Sequence, residues 1–354
     1  MRKLICILIT ILLLAGCAAC ADGKTISFDT SIPRIKGTPT DNPVIEGESP
    51  LTGLPESGEK YTPIMLPLDN SPETYPLWGI SDASILFQVP LTENGATRLL
   101  ALFGDAYPEQ AGGVRSGRMS MLPLVRAFHA VFAYAGYPPV GTESVSVDYW
   151  LTEWSFRKPT RHYNLLGGRY RERVSYVEQP HNLSAHVREL HKHISGRKIK
   201  FDVRPFLFTD EPLDRGDVAP VISVEYQVHD NLSKTNAASA STFTWTPGTG
   251  YIRTSEAGEM ADRFTGETVV FANVIIMKIP VNWERGYPYY EDQMRGSGPA
   301  CVFQSGRCIQ GSWVHNGHSE RLIFLDENGE ELKLQRGRTF VVLGDEIIVT
   351  CRDE

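Results

Sequence analysis

The apolar periodicity of this chain becomes strand-like beyond about Lys200, and that change constrains its fold more than any other feature. Short apolar runs bounded by turn residues recur at Val221 to Val228, Ser241 to Trp245, Tyr251 to Thr254, Val269 to Ile279, Ala300 to Phe303 and Cys308 to Trp313. Asn328-Gly329, between Phe324 to Glu327 and Glu330 to Leu334, is the strongest short hairpin signal present. Gly344-Asp345 reads the same way between Thr339 to Leu343 and Glu346 to Cys351. Strands so patterned bury their apolar faces on one another, which predicts a β-rich domain over residues 201–354.

Upstream the pattern is mixed. Ile64 to Asp69, Ser84 to Pro90 and Ala96 to Phe103 read as strands, the last two joined at Asn94-Gly95, and Ala130 to Ala135 reads as a buried strand. Met121, Leu124, Val125 and Phe128 have helical spacing, with Pro123 in the first turn. A second helix is predicted with Ser184 as its cap, Leu183, Val187, Leu190 and Ile194 on one face, and Gly196 at its end. These elements predict an α+β or α/β N-terminal domain with a mixed sheet over 61–200, and the C-terminal domain is the smaller, β-rich one.

The chain begins with Arg2-Lys3, an apolar run from Leu4 to Leu14, and Leu14-Ala15-Gly16-Cys17. This is the layout of an export signal over 1–16, and small residues before Cys17 match a lipobox, which would acylate that cysteine. The expected location is the extracytoplasmic face of the cell membrane, with the membrane contacted through lipid on Cys17. Residues 17–60, rich in Pro, Gly, Ser, Thr and acids, read as a flexible tether, with docking suggested near Pro50 to Pro55. Removing Arg2 and Lys3 from 35 basic residues leaves 33 against 42 acids, a charge of −9 that argues against nucleic acid as a partner. An oxidising compartment permits cysteine pairing. With a two-residue turn at Ser305-Gly306, Cys301 and Cys308 would lie diagonally on one sheet face, about 7–8 Å apart, marginal for a disulfide. A three-residue turn would forbid the bridge.

Gly112 to Arg118, "GGVRSGR", carries the chemistry. Its glycines would let backbone N–H groups converge, a helix starting at Gly117 would add its dipole, and the Arg115 and Arg118 forks can grip carboxylate or phosphate. The bland alternative is a turn whose arginines pair with acids such as Glu93 or Asp69. Asp69-Asn70 ends the first strand, and Thr97-Arg98 brings a third arginine toward the same strand ends. His181 precedes the second helix and could act as acid or base. His186, His191 and His193 lack the spacing of a helical zinc site, and His315 and His318 read as part of a polar turn. No motif for a metal, a nucleotide or another cofactor is recognised, so none is expected.

"PLTGLP", "PLDN", "ENGATRLLALF", "GGVRSGR", "AYAG", "PHNL", "NVIIMKI" and "GSGPACVFQSGRCIQGSW", in this order behind a lipobox, resemble the YerB-like lipoproteins, a bacterial family catalogued as a domain of unknown function. The resemblance runs from about Pro50 to the C-terminus. It implies an N-terminal domain bearing the arginine motif and a smaller C-terminal β-rich domain, and it brings no established reaction. Its motifs carry over onto Asp69, Asn70, Glu93, Thr97, Arg98, Arg115, Ser116, Arg118, Pro180, His181 and Asn182. Where the family tends to show Tyr-Glu this chain has Phe87-Gln88, and where it tends to show His-Ala-Gly it has Tyr134-Ala135-Gly136.

These readings lead to a binding module for an anionic cell-envelope ligand, a peptide carboxylate or a polymer phosphate, held by Asp69, Asn70, Glu93, Thr97, Arg98, Arg115, Ser116, Arg118, His181 and Asn182. The alternative is an envelope hydrolase or transferase in which Asp69 or His181 is the base, Ser116 the nucleophile and the arginines stabilise an oxyanion. A third reading is a scaffold that recruits a protein partner at an exposed sheet edge, with Trp245 and Trp313 as anchors if exposed.

Overall fold

The computed structural model describes residues 23–28, 43–156, 161–227 and 239–353. The export signal, Cys17 and Cys20 lie outside them.

Four strands, Ile64–Leu68, Ile85–Pro90, Thr97–Phe103 and Thr339–Gly344, are buried along their whole length. Their sequences are accordingly apolar without alternation, as two-sided burial requires. They form the middle of an eleven-stranded mixed sheet. From one edge its order is Asp217–Val218, Arg307–His315, Gly296–Gln304, Asn273–Lys278, Thr339–Gly344, Ile85–Pro90, Thr97–Phe103, Ile64–Leu68, Val131–Tyr134 and His162–Asn164, with Ile323–Leu325 beside Arg307–His315. Thr339–Gly344 lies parallel to Ile85–Pro90, with Thr339 opposite Ile85 and Val342 opposite Gln88. One sheet therefore runs through both the 61–200 and 201–354 segments.

A seven-stranded sheet, built on Ile347–Arg352, Val221–Tyr226, Ser241–Thr246 and Gly250–Ser255, packs through Ile222, Phe243, Tyr251 and Phe271 against Leu86, Phe340 and Val342 of the large sheet. The opposite face is covered by Met121, Leu122, Leu124, Val125 and Phe128. The α-helices among the described residues are short: Leu122–Ala127, Val147–Glu153 and Val187–Ser195. The molecule is mostly sheet.

Several expectations change. Gly344-Asp345 does not close a hairpin, because Thr339–Gly344 belongs to the large sheet and Ile347–Arg352 to the smaller one. Tyr226 spans this corner, its hydroxyl donating to Leu343 O at 2.6 Å. Ser184 does not cap the third helix. It lies in strand Leu183–Ala185, its hydroxyl accepting from Trp78 Nε1 at 2.9 Å, and the helix starts after His186. Val147–Glu153, capped by Ser146, was not expected from the sequence. Within the segment read as a tether, Lys24–Thr25 pairs with Ile347–Arg352, and Ser49, Leu51 and Thr52 are buried. Ser305-Gly306 is the two-residue turn, so Cys301 and Cys308 share a face, and both are buried free thiols.

Candidate functional site

Ile64–Leu68 and Val131–Tyr134 run parallel from Ile64 and Val131, and the chain from Gly112 to Gly117 enters between their carboxyl ends. Arg115 N donates to Pro67 O at 2.9 Å and Asp69 N to Gly113 O at 2.9 Å on one side. On the other, Ala135 N donates to Arg115 O at 3.0 Å and Gly117 N to Gly136 O at 2.9 Å. These backbone groups are spent in pairing and do not form an anion nest. The helix does not start at Gly117 either: a 3-10 turn, Met119–Met121, leads into the six residues Leu122–Ala127. Both corrections have the same cause, that splayed strand ends need an extended filler to satisfy their own backbone.

The glycines answer the need for close approach. A Cβ at Gly113 would stand 2.1 Å from His181 O, and one at Gly117 2.8 Å from the Phe132 ring. What this packing delivers is a set of side chains. Asp69 Oδ2 lies 2.7 Å from His181 Nδ1 and 3.1 Å from Arg115 Nε, and Oδ1 accepts from Ser71 N at 3.2 Å. Ser71 Oγ and Thr74 Oγ1 each stand 3.3 Å from the same imidazole nitrogen. Arg115 Nη1 donates to Pro180 O at 3.0 Å, tying the motif to the loop that carries His181. Burial pushes the Asp69 carboxyl up, but Arg115, the His181 bond and Arg98 outweigh it and hold its pKa below the ordinary carboxylate value.

Arg98 is 4% exposed and donates to Ser116 O at 2.9 Å, while its Nε has no partner. Burial, with Arg118 next and Arg115 beyond it, pulls its pKa down to about 9, against the pull of Asp69. Arg118 donates to Gly117 O at 3.0 Å and lies 5.5 Å from the centre of the Tyr287 ring, and its Nε is also unpartnered. Burial brings it down to about 10, with Tyr287 opposing and Arg115 adding to the fall. Neither Arg98 nor Arg118 forms an ion pair among the described residues. Tyr287 was not singled out by the sequence, since nothing local links a strand of the C-terminal half to the motif.

The other expected residues fall elsewhere. Asn70 and Thr97 point to the opposite sheet face, where Asn70 Nδ2 donates to Thr97 Oγ1 at 2.8 Å and Tyr75 OH to Asn70 Oδ1 at 2.6 Å. Arg253 Nη1 donates to that Tyr75 hydroxyl at 3.0 Å, so this buried network joins the two halves. Gln88, at the position where the family tends to show a glutamate, completes it as a neutral amide donating to Ser239 O at 2.8 Å. Asn182 bonds Arg173 Nη1 at 2.7 Å and Val174 O at 3.0 Å, bracing its own loop. Glu93 lines a recess with Asp345 and Glu346. The Ser116 hydroxyl bonds neither Asp69 nor His181 among the described residues. Tyr134, at the family's histidine position, has its hydroxyl 3.0 Å from His162 Nδ1. Trp313 is 2% exposed and Trp245 is packed against the core, so neither is the free anchor a recruiting scaffold would use.

Fold and site define a class: mixed-sheet proteins in which an arginine motif, braced by an aspartate–histidine pair, fills the gap between parallel strand ends. The chain belongs to the family described as "Protein of unknown function (DUF3048)", whose N-terminal domain matches residues 51–200 and whose C-terminal domain matches residues 231–341. It is 26% identical over 305 residues to the Bacillus subtilis (strain 168) protein named "Putative lipoprotein YerB", covering 83% of this chain and 85% of that one. The crystal structure of the YerB protein from Bacillus subtilis superposes with a TM-score of 0.69 at 22% identity, over 85% of this chain and 99% of the other, so the fold is shared.

Proposed function

We propose that this protein is a lipid-anchored binding module on the extracytoplasmic face of the membrane, and that Arg98, Arg115 and Arg118 hold an anionic envelope ligand. The lipobox at Cys17 and the relative's name support the anchor, and no described helix is long and apolar enough to cross a membrane. One observation carries the ligand reading. Three guanidiniums interact electrostatically with one another, while among the described residues Asp69 is the single carboxylate that pairs with any of them. The cluster is therefore under-neutralised, and a bound carboxylate or phosphate would supply the missing charge and partners for guanidinium donors. Arg115, Ser116, Arg118 and His181 keep partial exposure and form its opening.

The test is titration of muropeptides and of a teichoic-type phosphate polymer into soluble protein beginning after Cys17. Binding that weakens at least about tenfold in Arg115→Ala, a loss of roughly 1.4 kcal/mol, supports the reading. No binding of either ligand, or equal binding by the variant, removes it.

The contact between Asp69 and His181 favours a second reading, acid–base chemistry on the held anion. Asp69 orients the imidazole through Nδ1, leaving Nε2 to exchange a proton, as in the catalytic acid–histidine pairs of hydrolases. Turnover of a muropeptide that vanishes in His181→Gln while binding persists would establish it. Unchanged turnover would remove it.

A further inference from the structure

A second cationic site lies on the same helix, at the end remote from the motif. A cavity of about 470 Å³ is lined by Arg126, His129, Trp154, Ser155, Phe156, Arg161, Arg204, His318 and Ser319. Its walls come from four stretches well separated in sequence, and none of these residues belongs to the site around Asp69.

The charges here are also unevenly matched. Arg204 donates to the helix-terminal carbonyls of Arg126 at 2.9 Å and Ala127 at 2.7 Å, so its position is fixed. It is 5% exposed, yet its Nε has no partner. Arg161 Nη1 donates to the His129 carbonyl at 3.3 Å and Nη2 to the His129 ring Nε2, each of these nitrogens keeping a second hydrogen. Arg126 lies 4.6 Å from the centre of the Trp154 ring and donates no hydrogen bond among the described residues, which leaves a whole guanidinium edge open. Asp202 is the carboxylate in contact, 3.1 Å from His129 Nδ1 and 3.4 Å from Arg204 Nη2. Burial, then Arg161, brings His129 down to about 4 against the pull of Asp202, and burial, then Arg126 and Arg295, does the same for His318. Near neutral pH the imidazoles are thus uncharged, and among the described residues three guanidiniums face one carboxylate.

We infer that this cavity binds a small phosphorylated organic anion, its phosphate gripped by Arg126 and Arg161 and its ring laid against Trp154. The excess of guanidiniums calls for more than one negative charge, which a phosphate monoester or diphosphate carries and a lone carboxylate does not. Guanidinium forks match phosphate oxygens in two bonds, and the wall of Trp154, Phe156 and His318 accepts a ring face.

The experiment is calorimetric titration of the soluble protein with glucose 1-phosphate, pyrophosphate and acetate. The expected result is that both phosphates bind and acetate does not. Arg126→Gln and Trp154→Leu should each weaken glucose 1-phosphate at least about tenfold, and pyrophosphate should be insensitive to Trp154→Leu. Arg126→Lys, which keeps the charge and loses the fork, should fall between the parent and Arg126→Gln. All titrations use Arg115→Gln protein as the parent, so that the site around Asp69 does not contribute. The inference is overturned if neither phosphate binds, if acetate binds as well as phosphate, or if Arg126→Gln binds normally.

Discussion

Asp69→Asn is the sharpest perturbation of the arginine cluster. The carboxylate has a side chain 8% exposed, and one oxygen serves both Arg115 Nε and His181 Nδ1. Breaking a buried ion pair from one side costs about 3–5 kcal/mol. Arg115 keeps 25% of its side chain in contact with water, so part of that is recovered by solvation. The expected loss is about 2–4 kcal/mol, read as the difference in unfolding free energy in urea. Arg98 adds to it, since its buried charge keeps only like-charged neighbours once Asp69 is gone. A double-mutant cycle with Arg115→Gln should show coupling of at least about 1 kcal/mol. The sign with pH follows from the depressed carboxyl. Its stabilisation is complete above the unfolded carboxylate value near 4, and is lost as pH falls through the lower folded value, so the deficit of Asp69→Asn narrows in acid. Phosphate should restore the variant more than it stabilises wild type, by up to about 2.7 kcal/mol at a hundredfold excess over Kd. A loss below about 0.5 kcal/mol, or no coupling to Arg115, would refute the account of the cluster.

Three further outcomes are expected. Gly113→Ala forces a Cβ to 2.1 Å from His181 O, and the overpacking should cost at least about 2 kcal/mol and displace His181, visible as a changed imidazole resonance. Tyr75→Phe removes the hydroxyl that donates to Asn70 and accepts from fully buried Arg253, and should cost about 1–3 kcal/mol in the same urea assay, with binding at Arg115 unaffected. Cys301, Cys308 and Cys351 are buried, and burial pushes the Cys351 thiol up to about 12, so all three should resist a thiol reagent at pH 8 in the folded protein and react once it is unfolded.

The local code was legible where one segment suffices to decide the outcome. Asn94-Gly95 does sit in the turn between Ile85–Pro90 and Thr97–Phe103, Pro123 does stand in the first turn of its helix, and Gly196 does end the third helix. Around the candidate site the structure places Asp69, Arg98, Arg115, Arg118 and His181 near one another, where the strand ends had pointed to Asp69 and Arg98 alone. Asn70 and Thr97 were not, because one residue's difference along a strand reverses the face to which a side chain points. Gly112 to Arg118 looked like an anion nest because glycine permits one. Its extended course was settled by the unpaired backbone of its neighbours.

Sequence by itself determined the strand-rich character, the positions of the turns and the arginine motif, since each rests on side-chain alternation or backbone permissiveness within a few residues. Tertiary structure decided which strands meet. Thr339–Gly344 lies between Asn273–Lys278 and Ile85–Pro90, and its continuation past Gly344 crosses to the other sheet where a hairpin was expected. Strands buried on both faces carry no alternation by which to choose a partner, so register and neighbour follow from the packing of the whole core. The cavity of Arg126, Arg161, Arg204 and His318 has the same origin: its walls come from four separate stretches, and their charges become neighbours only when the sheet and its helix close around them.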